Sequence, residues 1–261
     1  MTPRSIAAIN GLPEIQKREI YMRFIPPQLL DQFSISRSLQ DHQGRELAKF
    51  RYREGSTDFV IELRHEFEAE DPLFFAHLTD TMNGQIHVLL YIVNDPHSER
   101  FDVDRMPDGR KTQFGLEQRN LEAEEAAMLA GLAPGQIRRG LRSLAHAVSS
   151  FEAFVESLGH SVFFIEPLFY HNAVIFERYG FAYLMGKRRM DELHRGFQPE
   201  GPLSQKLDGS TPFRGKLSAN SIRGRSWAIH DGIADESYSG VTMYKRIGES
   251  AGINTFPAST W

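Results

Sequence analysis

The chain has 261 residues, of which 41% are hydrophobic and 25% are charged, and this composition predicts an ordinary globular fold. Its formal net charge of −4 argues against a nucleic-acid binder that depends on bulk positive charge. The absence of cysteine excludes disulfides, zinc–thiolate sites and cysteine nucleophiles.

The hydropathy of the sequence does not indicate a membrane protein. No apolar run approaches the roughly 20 residues that a membrane-spanning helix needs. Residues 1–19 also lack the apolar core of a signal peptide. We therefore expect a cytoplasmic protein that acts on neither membranes nor nucleic acid.

The first half of the chain predicts an antiparallel meander. Residues 1–20 are interpreted as an arm or capping segment, residues 20–25 as a strand, and Pro26-Pro27 as the start of a helix that ends near residue 33. From residue 46 the apolar period changes to two, which is typical of strands. The predicted strands of the meander are residues 47–52, 59–67, 73–81 and 86–93.

The pair Asn83-Gly84 predicts a two-residue hairpin turn, because both residues accept a positive φ. In that register Asp80 lies directly opposite His87, at the roughly 5 Å separation of cross-strand neighbours. A carboxylate that orients an imidazole is a common way to prepare a general base. His87 is therefore the candidate base, with Asp80 as its partner. The alternative is a solvated Asp–His pair on the outer face of the sheet.

The middle of the chain offers weak candidates for a metal site. The aspartates of the polar loop at residues 95–114 lack the spacing of an EF-hand. His230-Asp231-Gly232 is either a turn or half of a metal pair, and no second histidine cluster at suitable spacing accompanies it. We expect no metal. A metal-dependent hydrolase that uses His and Asp residues is an alternative interpretation of what the chain does. Between these segments, Asn120 predicts the cap of a helix over residues 121–129.

A long amphipathic helix is predicted from about Ile137 to Leu158, because apolar residues recur there at alternating spacings of four and three. Its predicted first turns contain Arg138, Arg139 and Arg142. The amino end of a helix already carries partial positive charge, so a bound anion would make this cluster favourable. The alternative is that the arginines reach water or nearby glutamates.

Strand and helix alternate after the long helix. The apolar run at residues 162–165 predicts a buried strand, residues 172–178 a short helix, and Phe181 the start of another strand. Asn172 lies in the connection after the buried strand, where functional sites are common, or it caps the short helix. The remainder is predicted as a helix to about residue 195, a lid, clasp or dimer arm over residues 198–225, and strands at 226–229 and 241–247.

The order helix, buried strand, short helix resembles the second half of the GNAT superfamily of N-acetyltransferases, over about residues 86–183. The segment Phe176-Glu177-Arg178-Tyr179-Gly180-Phe181 is similar to the ending of that half. The resemblance implies an α+β fold, with a mixed sheet of an antiparallel meander followed by helix–strand–helix–strand and with helices on both faces. It also implies an acyltransferase domain over residues 1–197, with residues 198–261 as an extension that packs on it or forms the arm of a homodimer.

The same resemblance implies transfer of an acetyl group from acetyl-CoA to an amine on a small molecule or peptide, without a metal. Phe176 stands where the family has its tyrosine proton donor, so Tyr170 is the expected donor. Arg138 stands where the family's loop has a glycine. A GNAT-shaped protein that binds a ligand or protein partner without transferase activity is the alternative. The residues expected to bind the CoA moiety are Gly135, Arg138, Arg139, Gly140, Arg142 and Asn172.

Overall fold

The fold is α+β, and its strands form a mixed sheet. The structure is a computed structural model that describes residues 2–113, 115, 117–257 and 260–261. The strands are β1 (Ala48–Tyr52), β2 (Asp58–Leu63), β3 (Phe74–Asp80), β4 (Ile86–Val93), β5 (Val162–Ile165), β6 (Ala182–Met185) and β7 (Thr242–Arg246). Their order in the sheet is β1-β2-β3-β4-β5-β7-β6.

Short helices precede the sheet and follow its strands. The α-helices are α1 (Ile6–Asn10), α2 (Glu14–Tyr21), α3 (Pro27–Gln32), α4 (Leu121–Leu129), α5 (Leu144–Ser157), α6 (Tyr170–Arg178), α7 (Lys187–Gly196), α8 (Pro202–Gln205) and α9 (Ile222–His230). Single 3-10 segments lie at Met22–Phe24, Pro212–Arg214 and Lys216–Asn220. No helix within these described ranges is long and apolar enough to cross a bilayer.

The chain divides into two compact units, and each is built from several segments. The first comprises Met1–His97, Gly140–Glu166 and Tyr244–Ser250. The second comprises Ser98–Arg139, Pro167–Met243 and Ala251–Trp261. The predicted extension over residues 198–261 therefore contributes to both units, and its proposed role as a dimer arm stays a prediction.

Aromatic packing builds the core of the first unit. The fully buried ring of Tyr21 stacks on Phe59 at a centroid distance of 3.5 Å. Phe24 contacts Phe151 and Phe154 of α5 at 5.8 and 5.1 Å. Burying a side chain of this size stabilises the fold by about 1.5–3 kcal/mol. The core therefore holds α5 against the short helices at the start of the chain.

Two predicted strands are helical in the structure. Residues 20–25 form the end of α2 and a 3-10 turn, and residues 226–229 belong to α9. Both runs are short and mostly buried, and periodicity alone does not distinguish a short buried strand from a buried helical segment. The predicted meander strands are present, and β4 and β5 have the predicted bounds.

The long helix is shorter than predicted, because α5 begins at Leu144 rather than near Ile137. Gly135 and Arg142 have positive φ values of 78° and 55°, which an α-helix does not permit. The apolar spacing continues through this loop, so periodicity overstated the helix. Arg138, Arg139 and Arg142 consequently precede the helix and do not lie in its first turns.

The hairpin between β3 and β4 has a different register from the predicted one. Its loop contains three residues, 82–84, because the backbone N–H of Thr81 donates to the carbonyl of Gln85 at 2.8 Å. Gly84 has a φ of +72°, as expected of the last residue in such a loop. The extra loop residue shifts the pairing by one, so His87 lies opposite Thr79 and Asp80 lies opposite Ile86.

Candidate functional site

The parallel contact between β4 and β5 is brief. It comprises the pairs His87–Phe164 and Val88–Ile165, followed by a hydrogen bond from the backbone N–H of Glu166 to the carbonyl of Val88 at 3.2 Å. Strand β4 continues to Val93, whereas β5 ends at Ile165. The pairing confirms the prediction that the two strands adjoin. Among the described residues it extends along β4 only as far as Val88.

A β-bulge marks the place where this pairing stops. Leu78 pairs with Val88 and His77 pairs with Leu90, so Leu89 has no counterpart in β3. Bulges bend a strand and are common beside active sites. Beyond the bulge the apolar residues 89–93 are all half-buried, whereas Ile86 and Val88 are buried. The second half of β4 therefore offers a partly exposed apolar surface.

The amino end of α5 lies near the carboxyl end of β4. A side chain at Gly140 would place its Cβ 3.4 Å from the carbonyl oxygen of Val93, so this loop passes close to the strand. Ser143 caps α5 without a side-chain hydrogen bond to the free N–H groups of the first turn. Arg142 is exposed just ahead of them. Free N–H groups, the helix dipole and an arginine together favour an anion.

The other residues expected to bind CoA have identified contacts of their own. Arg138 donates to the carbonyl of Ser98, and Arg139 donates to the carbonyl of Ala130 at 3.0 Å. Gly135 has the ring of Phe169 where its Cβ would stand, at 2.4 Å, which explains the glycine without a ligand. These contacts do not test whether the loop binds CoA.

His87 has a carboxylate neighbour other than the predicted one. Its Nε2 lies 3.6 Å from Oε1 of Glu166, too far for a hydrogen bond, and this buried nitrogen has no hydrogen-bond partner among the described residues. Burial lowers the pKa of His87, while the charge of Glu166 raises it in part. The net lowering favours the neutral imidazole, which is the form that accepts a proton.

Asp80 does not orient His87, so the predicted dyad is wrong. Its two carboxylate oxygens accept hydrogen bonds from the backbone N–H groups of Ile6 and Ala7, at 2.7 and 2.9 Å. The one-residue register shift turns Asp80 toward the start of α1. Sequence analysis missed Glu166, although the residue that follows a buried parallel strand is a recognised position for a functional side chain.

Tyr170 and Asn172 both lie in the first turn of α6. The side-chain oxygen of Asn172 accepts a hydrogen bond from the backbone N–H of Phe169 at 3.2 Å, so the residue serves the helix end. Tyr170 is 1% exposed and its hydroxyl has no hydrogen-bond partner among the described residues. Its role as proton donor stays a prediction.

A buried ion-pair network fills part of the second unit. Glu124, on α4, accepts hydrogen bonds from His230 at 3.1 Å and from Arg119 at 2.8 Å. Burial would raise the pKa of Glu124, but hydrogen bonds from His230 and Arg119 outweigh it and lower the pKa. Asp231 pairs with Arg119 and with Arg214, at 2.9 and 2.8 Å. His230 and Asp231 therefore face different partners, and no metal-ligating group occurs among the described residues.

Comparisons with known proteins identify no relative of this chain. No family model matches it, and no curated protein or solved structure matches it either. The functional argument therefore depends on the geometry of the chain itself.

Proposed function

We propose that the protein is an acyl-CoA-dependent N-acyltransferase that transfers an acetyl group from acetyl-CoA to an amine. The observation that carries the proposal is that the pairing of β5 with β4 ends at Val88, while β4 continues to Val93 beside the loop that precedes α5. The partly exposed apolar surface of residues 89–93 suits an extended thioester chain, and the amino end of α5 with Arg142 suits a pyrophosphate.

The chemistry needs a base and a polarised carbonyl, without a covalent enzyme intermediate. The amine nitrogen attacks the thioester carbonyl carbon, loses a proton to the neutral imidazole of His87, and the C–S bond breaks. The thiolate leaves and takes up a proton from water. Glu166 stabilises the imidazolium that forms, because its carboxylate lies 3.6 Å from Nε2.

A second candidate is a binding protein of the same architecture that does not transfer acyl groups. The observation that favours it is the engagement of two of the predicted phosphate ligands. Arg138 and Arg139 donate to backbone carbonyls, so neither guanidinium is wholly available to a phosphate.

Calorimetric titration with acetyl-CoA tests the proposal. The wild-type protein should bind it, and Arg142→Ala should bind at least tenfold more weakly, a loss of about 1.4 kcal/mol. Arg188→Ala is the matched control, because the Arg188 side chain is 91% exposed and forms its ion pair with Glu192 in its own helix. Absence of heat at millimolar acetyl-CoA with wild-type protein contradicts the proposal, and binding without thiol release in the presence of a panel of amines supports the second candidate.

A further inference from the structure

The sheet has a free edge at β1, which the proposed transferase chemistry does not use. Strand β1 is the first in the sheet order, and β2 is its neighbour among the described strands. The segment just before β1 is covered, because the backbone N–H of Leu47 donates to the carbonyl of Leu39 at 2.8 Å. Among the described residues no such bond continues along residues 48–52. The sheet therefore ends at β1 with an open edge.

The register of β1 and β2 determines which backbone groups face this edge. The backbone N–H of Arg64 donates to the carbonyl of Leu47 at 2.9 Å, so this pair is hydrogen-bonded. Because hydrogen-bonded pairs alternate along an antiparallel ladder, every second residue after Leu47 bonds to β2. The intervening Phe50 and Tyr52 direct their N–H and C=O groups away from β2. These groups are available to an additional strand.

A depression of about 490 Å³ lies beside the second half of β1. Its lining includes Arg51 and Arg53, together with Asp58 and Val60 of β2. Arg51 pairs with Val60 in the ladder, so their side chains project from the same face of the sheet. The carboxylate of Asp58 is already hydrogen-bonded to His77 at 2.6 Å. The depression therefore presents two guanidinium groups beside an open strand edge.

The two faces of β1 differ in character. The rings of Phe50 and Tyr52 are half-buried and lie 6.1 and 6.4 Å from the ring of Phe59, between centroids. The opposite face of the strand carries the exposed cations Lys49 and Arg51. A strand added at this edge would thus have aromatic neighbours on one face and cationic neighbours on the other.

The positive charge along the edge exceeds the negative charge. Lys49 and Arg53 are exposed and form no ion pair with a described residue, whereas Arg51 pairs with Glu62 at 2.7 Å. Glu54 follows Arg53 in the chain and is the one acid of the adjoining turn without such a pair among the described residues. Two uncompensated cations therefore stand against one uncompensated acid, which favours an acidic partner.

We propose that the β1 edge binds an extended acidic segment of another protein as an additional strand of the sheet. Main-chain groups of the segment hydrogen-bond to Phe50 and Tyr52, as in other peptides that extend a sheet edge. Its acidic side chains alternate toward Arg51 and Arg53, and its apolar side chains toward the two rings. A second copy of this chain does not fit, because two paired β1 edges would set Lys49 and Arg51 of one copy against the same cations of the other.

Hydrogen exchange followed by NMR tests the free edge and its occupation at the same amides. In the free protein the amides of Phe50 and Tyr52 should exchange faster than those of Lys49 and Arg51, which donate to β2. A short peptide of alternating glutamate and valine should slow exchange at Phe50 and Tyr52 about tenfold or more at saturation, because their N–H groups then donate to the peptide. Equal protection of all four amides in the free protein, or no slowing by the peptide at millimolar concentration, overturns the proposal.

Two changes in the peptide separate strand addition from a general charge effect. Replacement of glutamate by lysine should weaken binding about tenfold or more, because the edge is cationic. N-methylation of all valines or of all glutamates should abolish binding in only one of the two versions, because alternate N–H groups of an added strand point toward β1. Equal affinity of the acidic and basic peptides, or full binding of both N-methylated versions, overturns the proposal.

The double variant Lys49→Gln with Arg53→Gln tests the cations of the edge. Because both side chains are exposed and lack ion pairs among the described residues, the variant should keep the Tm of the wild type and bind the acidic peptide about tenfold or more weakly. Arg188→Gln is the matched control, since its side chain is 91% exposed on α7. Unchanged peptide affinity in the double variant overturns the proposal, and so does a dimer that protects the amides of Phe50 and Tyr52 without peptide.

Discussion

The carboxylate of Glu166 lies 3.6 Å from Nε2 of His87, at the place where β5 stops pairing with β4. His87 lies inside β4, and Glu166 directly follows β5, the strand that runs parallel to β4. Because Glu166 raises the pKa of His87 against the effect of burial, the carboxylate determines how readily the imidazole takes a proton.

The first prediction concerns the titration of His87. Glu166→Gln removes the charge that raises the pKa, so NMR titration of the His87 ring should show a lower pKa than in the wild type. Asp80→Asn should leave it unchanged, because Asp80 contacts the backbone of α1. The opposite pattern, a shift with Asp80→Asn and none with Glu166→Gln, would restore the two-residue hairpin register.

The first prediction also covers the pH dependence of stability, because the titration of His87 is coupled to folding. Burial lowers the folded-state pKa of His87 below its unfolded value of about 6.5, so folding favours the neutral ring. The free energy of unfolding should therefore decrease as pH falls below about 6.5, until the ring is protonated in the folded protein as well. His87→Gln should remove this part of the dependence in urea unfolding followed across pH 5–8. An unchanged profile would show that His87 is not desolvated as the structure has it.

The chemical role of His87 gives a second prediction. Once an amine acceptor is found, His87→Ala should lower kcat by about a hundredfold or more and leave acetyl-CoA affinity nearly unchanged, as expected of a group that acts in the transition state. Thiol-release kinetics measure kcat, and calorimetry measures affinity. Equal turnover in the variant and the wild type would exclude His87 from the chemical step.

A third prediction concerns Asp80, whose role in the structure is to hold the start of α1. Asp80→Asn keeps one oxygen acceptor but places an NH₂ group against the second backbone N–H, so we expect a loss of about 1–2 kcal/mol in the free energy of unfolding. Urea unfolding at neutral pH measures this loss. A variant as stable as the wild type would show that the contact contributes nothing.

The sequence predicted the strands of this fold better than its helix ends and registers. Alternation of apolar residues placed β4 correctly and a continuous apolar run placed β5 correctly, because burial on a sheet determines both patterns directly. The start of α5 was misplaced, since the apolar spacing runs on through Arg142, whose φ of 55° forbids a helix. No local signal in the sequence distinguishes apolar spacing in a helix from the same spacing in the loop before it.

The contacts of the candidate site were not predicted correctly from local sequence patterns either. One extra residue in the loop at Gly84 redirected Asp80 from His87 to α1, and a two-residue turn was equally compatible with the sequence. The partner that replaces it, Glu166, is distant in sequence and depends on the pairing of β5 with β4. The buried pair Glu124–His230 also joins two residues that are distant in the sequence, so the sequence of neither helix predicts it.

A fourth prediction tests the packing around that pair. Gly115 has a φ of +80°, and a Cβ there would lie 2.6 Å from Oε1 of Glu124 and 3.0 Å from Nε2 of His230. Gly209 has a φ of +76° with nothing within 4 Å of its Cβ position. Gly115→Ala should therefore be less stable than Gly209→Ala by about 1–3 kcal/mol, because only the first displaces buried partners. Equal losses of stability in thermal unfolding would contradict the close packing of Glu124 and His230 against Gly115.

Hydrogen exchange with and without acetyl-CoA tests the central claim most directly. If the cofactor lies along the part of β4 that β5 does not pair with, acetyl-CoA should slow exchange of the amides in residues 89–93 and 140–146. Residues 87 and 88 are the internal reference, because they already pair with strands on both sides. Protection confined to other parts of the chain, or none at saturating acetyl-CoA, would contradict the acyltransferase proposal.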